Sequence, residues 1–130
     1  MKTIFTFLCV VLSCIANAQD VHYELNIDYK NVNISGEVAQ AMAINNTIPA
    51  PILEFNEGDT AIIKVINHTK DEASIHWHGL LLPQEQDGVP YLTYFPIEAG
   101  STFEYKFQLT HAGTYWYHVN NNRKVIHSTS

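Results

Sequence analysis

After Gln19, apolar and polar residues alternate with a period of two in separate short runs, the spacing of a half-buried strand rather than a helix. Residues 21–27 read Val-His-Tyr-Glu-Leu-Asn-Ile and residues 103–109 read Phe-Glu-Tyr-Lys-Phe-Gln-Leu, each apolar on one side. Residues 60–66 are rich in β-branched side chains, with Ala61, Ile63 and Val65 sharing a face, and residues 114–119 are aromatic and β-branched. Turn-forming clusters separate these runs at Asn45-Asn46, Glu57-Gly58-Asp59, Asp87-Gly88, Ala99-Gly100-Ser101 and His111-Ala112-Gly113. No helical pattern exceeds one or two turns. Short strands at this spacing predict an all-β protein, an antiparallel sandwich or barrel.

The N-terminus follows a different pattern. Lys2 supplies a short positive region, residues 4–15 an apolar stretch, and Ala16-Asn17-Ala18 a small-x-small cleavage site, so residues 1–18 read as a signal peptide. The apolar stretch is too short to span a bilayer, and no transmembrane segment is expected elsewhere. Cleavage after Ala18 would leave 112 of the 130 residues, secreted or periplasmic and enough for one domain. Lipid attachment at Cys14 is the weaker alternative.

Both cysteines, Cys9 and Cys14, fall inside this leader, so residues 19–130 contain none. An exported chain without cysteine has no disulfide, and its stability rests on its core. It also lacks the thiolate that a blue-copper (type 1) site requires, which excludes a plastocyanin-like electron carrier. Removing Lys2 leaves 6 basic against 13 acidic residues, a net charge of −7. Such a surface repels nucleic acid and anionic lipid.

The candidate chemistry lies in the histidines. His76-Trp77-His78-Gly79 places two imidazoles at i and i+2 on one face of a strand, with Cα atoms roughly 6.5–7 Å apart. They could serve one metal ion or two neighbouring ones. Tyr115-Trp116-Tyr117-His118 ends a second β-like run with another histidine. Each could instead be a core or rim residue hydrogen-bonded to backbone. His22, His68, His111 and His127 read as surface residues. Asn33-Ile34-Ser35, Asn45-Asn46-Thr47 and Asn67-His68-Thr69 match the glycosylation sequon, which matters only in a eukaryotic secretory pathway.

Three stretches occur in order: Ser74-Ile75-His76-Trp77-His78-Gly79-Leu80, Gln86-Asp87-Gly88-Val89-Pro90, and Ala112-Gly113-Thr114-Tyr115-Trp116-Tyr117-His118. Ile48-Pro49-Ala50-Pro51 and Glu57-Gly58-Asp59 precede them. Together they resemble the first cupredoxin domain of multicopper oxidases, most of all the bacterial copper-resistance type. The resemblance implies a Greek-key cupredoxin β-sandwich over residues 19–118. It implies copper as cofactor, with His76 on a type 2 ion and His78 and His118 each on one of a type 3 pair. It also places Asp87 where similar enzymes carry an acidic residue that delivers protons, although Asp87-Gly88 is a turn signal in its own right. The aromatic residues Trp77, Trp116, Tyr115 and Tyr117 are expected to pack the sandwich and orient the ligands.

The pattern breaks after His118. The resembling proteins carry a further histidine at the position of Asn120, then one more strand and further cupredoxin domains. Asn120-Asn121-Asn122-Arg123-Lys124 is polar and Val125-Ile126-His127-Ser128-Thr129-Ser130 is short. Residues 119–130 therefore read as a disordered or aberrant tail, and the sandwich as lacking its last strand. The expected function is that of a copper-binding fragment of a periplasmic multicopper oxidase, which couples oxidation of a substrate such as Cu(I) to reduction of dioxygen to water. Alone it is expected to be inactive, its partners being copper ions and the oxidase's other domains. The alternatives are a small secreted copper-binding or buffering module, and a β-sandwich whose histidines are structural.

Overall fold

Residues 60–67 show how this sequence builds a sheet. Ala61, Ile63 and Val65 alternate onto one face and are fully buried, while Lys64 stays in solvent. The strand they form, β3 (Thr60–Asn67), lies in a four-stranded sheet with β1 (Asp20–Ile34), β2 (Glu37–Ile44) and β5 (Thr102–Gln108), in the order β2-β1-β3-β5. A second sheet pairs β4 (Ser74–His78) with β6 (Trp116–Asn120). A 3₁₀ turn at Gln84–Gln86 is the one helical element of the computed structural model, which describes residues 18–34, 36–89 and 95–121. The leader with Cys9 and Cys14, Ser35, Pro90, His127 and the tail beyond Asn121 lie outside the described residues.

The core lies between the sheets. Leu25, Ile27, Ala61, Ile63, Val65, Tyr105 and Phe107 from the larger sheet meet Ile75 and Trp77 from β4. Trp77 stacks edge-on against Tyr105 and Phe107 at centroid separations of 5.4 and 5.5 Å. The Tyr105 hydroxyl accepts the Ile75 N–H at 3.0 Å, tying β4 to β5 across the layers. The all-β sandwich expected from the sequence is the fold observed.

Three expectations need correction. The larger sheet is not purely antiparallel: β1 and β3 run parallel, with Leu25 beside Val65 and Asp20 beside Thr60. Strand periodicity is the same in either pairing, and the long 45–59 connection decides it by bringing β3 in from β1's starting end. Next, β1 continues well beyond residue 27 and returns through β2, a hairpin the alternation did not reveal. Residues 37–40 of β2 are exposed one after another, so burial imposes no alternation there. Finally, β6 does not stop at His118. Val119 and Asn120 pair with Ile75 and Ser74, because Val119 packs against the core and carries the strand past the predicted boundary.

Beside β6 the sandwich is open. A groove of about 700 Å³ lies between residues 49–57 and the start of β6, walled by Ile52, Leu53, Phe55, Trp77 and Tyr117. Among the described residues β6 has no strand partner other than β4. The Tyr117 hydroxyl donates to the Pro51 carbonyl at 2.6 Å, and burial pushes that phenol up to about 12.

Candidate metal centre

Antiparallel pairing of β4 with β6 sets His76 directly opposite His118 and His78 directly opposite Trp116. Residues two apart share a face, so these four rings form a two-by-two block on the side of the sheet away from the core. Ile75, Trp77, Tyr117 and Val119 occupy the other side and are buried or half-buried against the core. The ring centroid of His76 lies 5.5 Å from those of both His78 and His118. All three histidines named from the sequence are thus brought together.

His76 is held from behind by the Asp87-Gly88 turn. Its Nδ1 lies 2.8 Å from the Asp87 carbonyl oxygen. A carbonyl can only accept, so Nδ1 carries the proton and Nε2 presents a free lone pair. The Asp87 carboxylate is farther off, with Oδ1 at 3.6 Å from the same nitrogen and its side chain about a third exposed. Asp87 is therefore both a turn residue and a neighbour of the site, and the contact it makes is through its backbone. Gly88 makes that contact possible. Its φ is +75°, and a Cβ at this position would fall 1.7 Å from the Ile75 carbonyl oxygen, so only glycine lets the turn lie on β4.

The other two rings are held by stacking. Trp116 lies nearly parallel to His78 at 4.4 Å and to His118 at 4.9 Å. His118 Nδ1 also donates to the Val119 carbonyl at 3.3 Å, which leaves its Nε2 free. Trp116 is 58% exposed and Tyr115 37%, so neither packs the sandwich as expected; alternation puts Trp116 on the histidine face. Trp77 and Tyr117 do pack it. The Trp77 indole N–H is the one buried side-chain polar atom without a partner among the described residues.

Imidazoles with free Nε2 atoms suit copper. Yet among the described residues no three His, Cys, Asp or Glu side chains converge on a single ion position. The donor set fits a share of a larger ligand set distributed over more than one ion, not a closed site. Asn120, two residues beyond His118 and opposite Ser74, falls on the same face. Its neutral amide is a poor replacement for imidazole.

The remaining polar clusters are structural. Asn67 is fully buried, donating to the carbonyls of Asp71 and Ile97 at 2.8 and 3.0 Å and accepting from the Thr69 hydroxyl at 2.7 Å. Its sequon is closed to modification in the folded domain. His68 is exposed and meets Asn26 Oδ1 at 2.8 Å, and His22 is also exposed, as expected of surface histidines. The sequence marked Gly88 as a turn residue and Asn67 as part of a sequon, but not the contact of Gly88 with β4 nor the burial of Asn67; burial of an Asn at a strand end has no sequence signal.

The family model described as multicopper oxidase matches residues 26–128. Copper resistance protein A of Escherichia coli is 45% identical over 103 residues, 79% of this chain and 17% of the relative. Copper resistance protein A of Pseudomonas syringae pv. tomato is 46% identical over 96 residues, 74% of this chain and 16% of the relative. The crystal structure of a multicopper oxidase from Pseudomonas thermotolerans superposes with a TM-score of 0.73 at 35% identity, covering 79% of this chain and 25% of that one. The chain spans about one sixth of the length of the curated relatives it matches. With its cupredoxin sandwich and the histidine-bearing pair β4–β6, this chain belongs to the multicopper oxidase family.

Proposed function

We propose that this chain is the first cupredoxin domain of an exported, periplasmic multicopper oxidase and that it contributes His76, His78 and His118 to a copper cluster completed by other domains. The observation that carries this reading is the block of three imidazoles on one face, each held by a contact that leaves a nitrogen free or stacks the ring. When bound, such a cluster takes up electrons and passes them to dioxygen. His76 would face the type 2 ion, and His78 and His118 the type 3 pair. A split over several ions is in keeping with three rings that occupy three corners of a block, His78 and His118 each 5.5 Å from His76, rather than surrounding one point. Asp87 positions His76 through its carbonyl, and its partly exposed carboxylate is placed to carry a proton between solvent and this face.

Residues 19–130 contain no cysteine, so a type 1 thiolate would have to come from outside these residues. Export rests on the leader pattern of residues 1–18, and no helix among the described residues is long and apolar enough to cross a membrane.

The test is calorimetric titration of Cu(II) into the chain and into a His76→Ala/His78→Ala double variant. Binding lost in the variant is the expected result. Equal affinity in the two would sink the assignment. The copper-loaded chain alone should show no intense blue band and no steady oxygen uptake. A strong visible charge-transfer band, or oxygen uptake abolished by His78→Ala, would instead favour a self-sufficient site.

A further inference from the structure

The start of β1 carries a contact that the copper chemistry does not use. The Gln19 backbone nitrogen donates to Asp59 Oδ1 at 3.1 Å, and the Gln19 carbonyl accepts the Thr60 N–H at 2.8 Å. Asp59 is 1% exposed although it is a carboxylate. Its Oδ2 accepts the Asn56 N–H at 2.7 Å, and its own backbone bonds Asn56 and Leu109. A buried carboxylate held by backbone amides and the neutral Asn56 side chain still lacks a counter-charge. The residue whose nitrogen reaches it is the one that follows the Ala16-Asn17-Ala18 cleavage pattern.

We propose that Asp59 is the receptor for the α-ammonium group created when the leader is removed after Ala18. The inference rests on the export reading, not on copper. A leader peptidase adds water across the Ala18–Gln19 peptide bond. Ala18 leaves with the leader as a carboxylate, and Gln19 keeps the nitrogen as an ammonium. The donor already 3.1 Å from Asp59 Oδ1 then changes from a neutral amide into a cation. A charge-assisted hydrogen bond is roughly twice as strong as a neutral one. Processing would therefore complete this pair only once the leader has been removed. The same pairing keeps the amine protonated, and a protonated amine cannot attack its own side-chain amide. N-terminal glutamine otherwise cyclises this way, with loss of ammonia.

The experiment expresses the full chain with its own leader, beside a form with one glycine inserted between Ala18 and Gln19, each also as Asp59→Asn. Intact mass reads the N-terminus and thermal melts read the pair. We expect an uncyclised Gln19 terminus that melts several degrees above the glycine form, with the difference gone in the Asp59→Asn background. Should Asp59→Asn not fold, the Gln19 α-amine should react with an acylating reagent at least tenfold more slowly than the glycine terminus. Equal melting of the two forms, equal reactivity, or a Gln19 lighter by one ammonia overturns the ion pair. Cleavage at another bond overturns it together with the leader assignment, and a mass shift reports that separately from the melts.

Discussion

Gly88 shows how much a single residue can decide in this domain. The turn it belongs to holds the Nδ1 proton of His76, and a Cβ there would strike the β4 backbone. Gly88→Ala should destabilise the domain by about 1–3 kcal/mol through overpacking, and should weaken Cu(II) binding. Asp87→Asn keeps the carbonyl clamp and removes only the carboxylate, so its copper affinity should stay close to that of the unaltered chain. Melting curves and titration calorimetry of both separate positioning from charge; a large loss of affinity in Asp87→Asn would show that the carboxylate matters for binding. Trp116 makes a second case. Stacked on His78 and His118, it should contribute about 0.5–1.5 kcal/mol to fixing those rings. Trp116→Ala should weaken Cu(II) binding several-fold and Trp116→Phe should keep most of it, as read by the same titration. Asp59 sets the acid response. Hydrogen bonds from the Asn56 backbone, then the Gln19 backbone, hold its carboxyl below the usual carboxylate range. A lowered folded value means the stabilisation is complete above that range and is lost as pH falls through the lowered value. Melts taken from neutral to strongly acidic pH should show that loss in the unaltered chain and a weaker one in Asp59→Asn.

At the scale of elements, the two halves of β1 behave differently. Residues 20–27 pair with β3 and include fully buried Leu25 and Ile27. The later half pairs only with β2, out to Asn33 opposite Val38, where β2 is exposed residue after residue. Backbone amides open locally where few apolar contacts oppose it. Hydrogen exchange should therefore be fast at Asn31, Val32 and Ala39 and orders of magnitude slower at Leu25, Ile63 and Tyr105. Similar protection in both sets would mean the hairpin is covered in solution. The strand pair β4–β6 owes its position to the opposite circumstance. One face, with Ile75, Trp77, Tyr117 and Val119, packs on the core, and this leaves the histidine face fixed by register alone. A slip of one residue would exchange the two faces and bury the imidazoles.

Among the described residues the sandwich has one open side. Residues 49–57 and β6 flank an apolar groove, and β6 has a single strand partner among the described residues. Unpaired backbone and uncovered apolar surface both cost stability. Extending the chain past Asn121 with a strand copied from the relatives should raise the unfolding midpoint by several degrees, corresponding to roughly 1–2 kcal/mol. It should also reduce self-association in sedimentation. An unextended chain that is monomeric and melts as high would show that the fold needs no further strand. Asn120→His alone should leave the midpoint unchanged, because it alters a ligand position and no backbone pairing.

Much of this was legible in the chain itself. Period-two alternation in residues 21–27 and 103–109 determined strands with one buried face, since burial on a pleated sheet selects every second residue. The β-branched run 60–66 determined a third strand, in which Ile62 is buried as well as Ala61, Ile63 and Val65. His76 and His78 were bound to share a face for the same reason, and the absence of cysteine from residues 19–130 excluded a type 1 thiolate within them. Only the tertiary structure decided what depends on pairing between distant segments. The outer β1–β2 hairpin left little pattern because residues 37–40 of β2 are exposed one after another. The parallel run of β1 beside β3 looks, in sequence, like an antiparallel one. Register put His118 opposite His76 and Trp116 opposite His78, and no property of either segment alone contains that alignment. The same holds for Gly88 against Ile75 and Gln19 against Asp59, contacts made by folding across 13 and 40 residues of chain.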